Sequence, residues 1–366
     1  MRPPPASVGD ALEAVDTPAL VVDLDALEAN LATLEGAIAG KNVRLRPHAK
    51  THKSADLARL QIARGAVGVC CQKVSEAQAL VEAGVDDILI SNEVVGEAKL
   101  SRLGALARRA RIGVCVDDAR NVVALAALGV ALDVYVEVDI GMGRCGVPPG
   151  EPAAALARQV AAARPLRFAG LQAYHGRAQH VRALEERRAI IAAAAQKVRE
   201  TKALLEKQGL RCPIVTGAGS GTFMLEVESG AWDEIQPGSY VFMDADYGRN
   251  EWASPLPRFR NALFVLSTVM SRPCAVLAIL DAGLKASSVD SGMPVVWQRP
   301  GLAYDKASDE HGIVSVSAGE TVSLGDKVLL VPGHCDPTVN LYDWYVCVRK
   351  GVVEAVWPVT ARGALT

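Results

Sequence analysis

Eight consecutive residues, Arg46-Pro47-His48-Ala49-Lys50-Thr51-His52-Lys53, carry five basic side chains and a proline. If Val43 to Lys50 runs extended, side chains alternate faces with period two. Arg44, Arg46, His48 and Lys50 then share one side, and Val43, Leu45, Pro47 and Ala49 share the other. An apolar outer face over a basic inner face suits a barrel strand whose inner end carries chemistry. An amine held among other cations loses stability in its charged form and becomes a better nucleophile, which makes Lys50 a candidate nucleophile. A solvated basic turn is the competing reading.

Other stretches have residue types that could work with such a lysine. All six histidines (His48, His52, His175, His180, His311 and His334) fall in polar turns or strand ends, none on an apolar helix stripe. Thr216-Gly217-Ala218-Gly219-Ser220-Gly221 follows an apolar run, and Gly238-Ser239 follows the next one. Glycine turns between strand and helix let backbone N–H groups close on a phosphate, although a plain tight turn has the same composition. Arg144 is the lone cation in the glycine-rich segment Val138 to Gly146, and an ion pair with Asp139 is the structural alternative. Tyr174, in Gln172-Ala173-Tyr174-His175-Gly176, could stack on a flat ring, with core filling as the rival reading. His334 and Asp336 lie two apart in Pro332-Gly333-His334-Cys335-Asp336-Pro337-Thr338. In an extended segment they would face the same way, with Cys335 pointing off. Imidazole plus carboxylate suits a divalent ion, Mn²⁺ first and Mg²⁺, Co²⁺ or Zn²⁺ after it, while a buried His–Asp hydrogen bond is the alternative.

These residues need a frame. From residue 20 to residue 254 the chain repeats a short apolar strand, a polar turn and an Ala/Leu/Arg-rich amphipathic stretch. Strands end near Lys50, Lys73, Glu93, Asp118, Asp139, His175, Thr216 and Gly238. Eight such units predict an α/β fold, a (β/α)₈ TIM barrel with its active site at the C-terminal strand ends. There the glycine turns after the seventh and eighth strands occupy the usual phosphate position. Beyond residue 255 short Val/Leu/Ile runs alternate with Gly, Pro and Asp. This predicts a second, mostly β domain formed by residues 255–366 with residues 1–19, beside the strand that starts at Ala19.

Composition narrows the partners. Of 366 residues 50% are hydrophobic and 22% charged, an ordinary globular balance. A net charge of -2 gives no electrostatic reason to expect nucleic acid or a membrane surface. Eight cysteines without CxxC spacing fit reduced core thiols, and Met1-Arg2-Pro3-Pro4-Pro5 has no apolar leader region, so a cytoplasmic protein is expected.

Several motifs agree in order and spacing with one known group. They are Thr17-Pro18-Ala19-Leu20-Val21, Arg46-Pro47-His48-Ala49-Lys50, Cys71-Gln72-Lys73-Val74-Ser75-Glu76, Ser91-Asn92-Glu93-Val94-Val95, Gly143-Arg144-Cys145-Gly146, Ala173-Tyr174-His175-Gly176, Asp309-Glu310-His311-Gly312 and His334-Cys335-Asp336-Pro337-Thr338. Together they resemble the D-threonine aldolase group of pyridoxal-phosphate enzymes, in the alanine-racemase-like, fold-type III set that also holds D-serine dehydratases. The resemblance implies that Lys50 holds pyridoxal 5'-phosphate covalently. The turns with Thr216, Gly217, Gly219, Gly238 and Ser239 would bind its phosphate, Tyr174 would lie by the ring and Arg144 by the pyridine nitrogen. His334 and Asp336 would bind the metal, and His180 is the candidate base for a retro-aldol cleavage of D-β-hydroxy-α-amino acids. It also implies a homodimer. D-serine or D-threo-3-hydroxyaspartate dehydratase activity is the alternative, and a pyridoxal-phosphate carrier without turnover is a remoter one. The related dehydratases carry His-x-Cys at the metal motif, whereas this chain has Asp336.

Overall fold

After a short 3₁₀ turn at Leu12–Ala14 come β1 (Ala19–Asp23) and α1 (Leu24–Ile38), in the computed structural model, which describes residues 3–366. Met1 and Arg2, at the head of the stretch read for a leader, lie outside the described residues. Asp23 caps α1 by accepting the Ala26 N–H at 3.0 Å. Seven strand–helix units follow: β2 (Arg44–Leu45), α2 (Ala55–Ala63), β3 (Val69–Cys71), α3 (Val74–Glu82), β4 (Asp87–Glu93), α4 (Glu97–Ala107), β5 (Arg111–Val116), α5 (Ala119–Ala126), β6 (Asp133–Glu137), α6 (Glu151–Ala162), β7 (Arg167–Ala173), α7 (Leu184–Lys207), β8 (Ile214–Gly217) and α8 (Phe223–Ser229). β9 (Glu234–Ile235) and α9 (Ala245–Gly248) complete the run.

The strands pair in parallel in the order β2-β9-β8-β7-β6-β5-β4-β3. A parallel bridge between His48 and Cys70 joins the two ends, with the Ala49 N–H donating to the Cys70 carbonyl at 2.7 Å. The ring is therefore closed, and the eight predicted strand ends all belong to it. β2 and β9 pair over only two residues each, because Pro47 and Pro237 follow them and have no N–H for a ladder. Val69, Ile90, Val114, Val136 and Leu171 fill the layer between strands and helices, while Cys70, Leu89, Cys115, Tyr135 and Ala169 fill the ring itself.

The closed end of the ring holds charges that answer one another. Arg46 donates from Nε to Glu234 at 3.1 Å and from Nη1 to Asp87 at 2.6 Å, and Arg44 reaches the other Glu234 oxygen at 3.0 Å. Arg46 was among the cations expected beside Lys50. Its guanidinium instead serves this inner network, among strand starts rather than strand ends.

The second sheet contains β10 (Leu263–Cys274), β11 (Leu277–Leu280), β12 (Val295–Val296), β13 (Leu302–Ala307), β14 (Gly312–Val316), β15 (Lys327–Val331), β16 (Trp344–Arg349) and β17 (Val352–Pro358). The short helix α10 (Cys335–Val339) connects β15 to β16. β1 lies in this sheet, antiparallel to β10 and parallel to β16, through Asp23. The boundary expected at residue 20 thus falls inside β1, whose buried Ala19, Leu20, Val21 and Val22 need cover on both faces. Leu27 and Leu31 of α1, Tyr240, Phe242, Val265 and Tyr345 share one apolar core, which fixes the β-domain against the barrel. Among the described residues no helix is long and apolar enough to cross a membrane.

Candidate active site

A cavity of about 560 Å³ opens where the barrel strands end. Lys50, Arg144, Tyr174, His180, Gly219, Gly238 and Ser239 all line it, although they come from five different turns.

Lys50 stands in the turn that follows β2, past the end of the extended run expected to Lys50, and points to the β-domain, where its Nζ donates to Asp336 Oδ2. Burial alone would lower its pKa, but the Asp336 carboxylate outweighs that and raises it. The sequence argument expected neighbouring cations to lower it, and a carboxylate 286 residues away reverses the sign. Lys53, three residues on, is buried and donates to the buried Glu76. His48 is buried and neutral: burial and the Lys50 charge hold its pKa well below the ordinary value. Its Nε2 lies 3.0 Å from both Ser91 Oγ and Gln72 Nε2. Burial lowers His52 to about 4. His52 is a clamp, accepting the Ser54 N–H at Nδ1 and the Tyr345 hydroxyl at its carbonyl.

Arg144 lies over the Tyr174 ring, 5.8 Å from its centroid. Its Nη2 is 3.8 Å from Glu137 Oε1, so the expected alternative pairing with Asp139 does not form. Asp139 accepts the Gly141 and Gly143 N–H groups at 2.9 and 3.0 Å, folding the loop that presents Arg144. Glu137 is raised to about 8 by burial and by the neighbouring Glu93 carboxylate.

The two glycine turns meet the cavity through Ala218, Gly219, Ser220, Gly238 and Ser239. A Cβ on Gly219 would fall 2.6 Å from Gln179 Oε1, and one on Gly238 would fall 2.5 Å from Thr51 Oγ1. Both turns are thus packed from behind and present backbone forward. Ala218 takes a left-handed φ of 69°, the reversal that lets successive N–H groups converge on an anion. Thr216 and Gly217 are not on the wall. Thr216 is fully buried, donating to Glu234 and accepting from Gln236, and Gly217 lets β8 pass the Ala173 carbonyl.

His180 closes a 3₁₀ turn, Arg177–His180, and its Nδ1 lies 2.5 Å from Asp246 Oδ2. Burial works against the Asp246 charge, but hydrogen bonds from Arg182, Arg249 and His180 outweigh it and hold the carboxyl at about 2. That contact orients the imidazole and leaves Nε2 for the cavity. Sequence reasoning did not single out Asp246, although Asp244-Ala245-Asp246-Tyr247 just after the eighth strand was a usable signal.

His334 is the N-cap of α10, so Asp336 stands in a helical first turn rather than two along a strand. The expected convergence survives for a different reason: helix start, not extended alternation. His334 Nδ1 lies 2.8 Å from Asp290 Oδ2, which leaves Nε2 as the available ligand atom. Asp336 is held at about 2, because Lys50 and His334 outweigh its burial. Its Oδ1 is buried without a protein partner, the kind of lone acceptor that a bound cation satisfies. Cys335 faces the other way, donating from Sγ to the Met243 carbonyl.

Comparison with known proteins agrees with this arrangement. Residues 22–246 match the family model of the alanine racemase N-terminal domain, and residues 262–348 match a putative serine dehydratase domain. A D-threonine aldolase of Arthrobacter sp is 50% identical over 99% of this chain and 96% of its own length. A 3-hydroxy-D-aspartate aldolase of Paracoccus denitrificans is 47% identical over 98% of this chain and 95% of its own. The crystal structure of D-threonine aldolase from Filomicrobium marinum superposes with a TM-score of 0.97 at 52% identity, covering 99% of this chain and 100% of that one. With both domains matched and half the residues shared along nearly the whole length, the chain belongs to the D-threonine aldolase family of alanine-racemase-like proteins.

Proposed function

We propose that the protein is a pyridoxal-phosphate- and divalent-metal-dependent aldolase that cleaves D-β-hydroxy-α-amino acids, D-threonine giving glycine and acetaldehyde. The observation that carries this reading is the pairing of Lys50, a barrel amine on the cavity wall beside two glycine turns, with Asp336, a carboxylate of the β-domain.

The residues present fit both absent groups. Gly219, Ser220, Gly238 and Ser239 would hold the cofactor phosphate, Lys50 Nζ its reactive carbon, Tyr174 its ring face and Arg144 its pyridine nitrogen. His334 and Asp336 would hold the cation, and a donor set of nitrogen and oxygen without thiolate favours Mn²⁺ among the divalent ions. When bound, pyridoxal phosphate supplies an electron sink for the bond broken at Cα, and the cation supplies a Lewis acid for the β-hydroxyl.

The chain's own residues do the rest. Asp246 fixes the His180 tautomer so that Nε2 accepts the β-hydroxyl proton as Cα–Cβ breaks. His48, held neutral by burial and by the Lys50 charge, contributes hydrogen bonding to Ser91 and Gln72 rather than charge beside the lysine. The inward-facing Cys335 separates the site from a thiolate-ligated dehydratase centre. A location in the cytoplasm and assembly as a homodimer complete the proposal.

The test is product analysis with D-threonine, pyridoxal phosphate and Mn²⁺. Glycine with acetaldehyde supports the aldolase; ammonia with 2-oxobutanoate would replace it with a dehydratase. Chelation by EDTA should stop cleavage and Mn²⁺ should restore it, while equal rates in EDTA would remove the metal from the account.

A further inference from the structure

The base His180 belongs to the barrel, and the cation motif, His334 with Asp336, belongs to the β-domain. In the proposed step both act on one hydroxyl of the substrate. A misplacement of about 1 Å between such groups can cost on the order of 100-fold in rate. Some contact between the domains must therefore set their spacing.

The two domains meet where residues 243–247 run beside residues 332–335. The Ala245 N–H donates to the Pro332 carbonyl at 2.9 Å and the Asp246 N–H to the Gly333 carbonyl at 3.3 Å. Asp244 lies in the middle of this joint and is 0% exposed. Its Oδ1 accepts the Tyr247 N–H at 2.9 Å and caps α9, while its Oδ2 accepts the N–H of Cys335, the first residue of α10, at 3.0 Å. One buried carboxylate thus starts two helices that come from different domains. With four and five residues, neither helix is long enough to hold its own direction.

What these helices carry gives the shared cap its consequence. α9 carries Asp246, which orients His180 through Nδ1, and Tyr247, whose ring centroid lies 5.7 Å from that of the imidazole. α10 carries Asp336 one residue beyond the capped N–H, with His334 just before it.

We propose that Asp244 is a positioning residue that sets the spacing between the His180 base and the His334–Asp336 cation motif. This rests on the aldolase reading and adds a residue that works through the backbone of both helices. Loss of the Oδ2 bond frees α10 and with it Asp336; loss of the Oδ1 bond frees α9 and with it the orientation of His180. Cys335 supplies the control, because its Sγ bond to the Met243 carbonyl crosses the same joint without capping either helix.

The test compares wild type, Asp244→Ala, Asp244→Asn and Cys335→Ala as purified, pyridoxal-phosphate-loaded proteins. Asparagine keeps the size but has one acceptor oxygen, so one of the two helix starts meets an N–H instead. One readout is the Kd of Mn²⁺ from the electron-paramagnetic signal of the free ion, which needs no turnover. The other is kcat for D-threonine at saturating Mn²⁺. Both Asp244 variants should weaken Mn²⁺ binding by about five-fold or more and lower kcat by about five-fold or more, with Cys335→Ala changing each by less than about two-fold. If Asp244→Ala does not fold, Asp244→Asn decides on the same thresholds. A smaller change in Kd, full return of kcat at saturating Mn²⁺, or an equal effect of Cys335→Ala would overturn the assignment. Wild type that binds Mn²⁺ but releases no glycine would sink the aldolase reading itself, and the Kd values would still decide whether Asp244 places the cation motif.

Discussion

Arg46 and Lys50 stand four residues apart in the same basic segment, yet they live in opposite surroundings. Arg46 is 4% exposed and has two carboxylates at hydrogen-bond distance, both from barrel strands. Lys50 reaches the open cavity and has one carboxylate, contributed by the other domain. The first set of charges is complete within the barrel and holds it shut. The second is complete only in name, since Asp336 keeps one buried oxygen without a protein partner. The difference separates a structural ion network from a site awaiting ligands, though the two look alike as residue types.

Substitutions at the two ends should separate these roles. Lys50→Gln should lower D-threonine cleavage by at least about 10³-fold, because it removes the amine proposed to hold the cofactor carbon, while the thermal melt changes little. Arg46→Met should do the reverse. It strips the buried Glu234 of one of its two arginine partners, leaving Arg44 and Thr216, a loss of roughly 1.5–3 kcal/mol readable as a lower urea midpoint, with activity per folded molecule retained. Equal loss of activity from both would erase the distinction. Asp336→Asn should cut cleavage about 10²-fold by weakening the cation's hold, with the visible absorbance of the bound cofactor unchanged. Loss of that absorbance would move Asp336 to a cofactor role.

The smallest effect concerns pH. Glu137 is raised to about 8 in the folded chain from an ordinary 4.5, so the folded state binds the extra proton between those values. Stability from this group is therefore present below its ordinary pKa and declines as pH rises through 8. The melting temperature should fall between pH 6 and pH 9 in wild type and fall less in Glu137→Gln. Parallel curves would show that the carboxyl is ordinary.

Much of this was legible in the sequence. The eight strand ends follow from apolar runs stopped by polar turns, and each run is local. Lys50, Arg144, Tyr174, His180, Gly219, Gly238 and Ser239 sat at those ends and do meet at one cavity. What could not be read depends on partners far along the chain. Glu234 claims Arg46 across 188 residues, and Asp336 sets the charge of Lys50 across 286. Thr216 looked like a phosphate ligand because it opens the glycine run, but period two turns it into the ring toward Glu234 and Gln236. The helical start at Cys335 was hidden because Pro337 and a single short turn give no periodic pattern.

The central claim is that Lys50, and not a neighbour, is the amine presented to the cofactor. Borohydride reduction of the pyridoxal-phosphate-loaded protein, followed by peptide mass mapping, tests it most directly. The account predicts the pyridoxyl label on Lys50 alone; a label on Lys53 or Lys73 with Lys50 unmodified would contradict it.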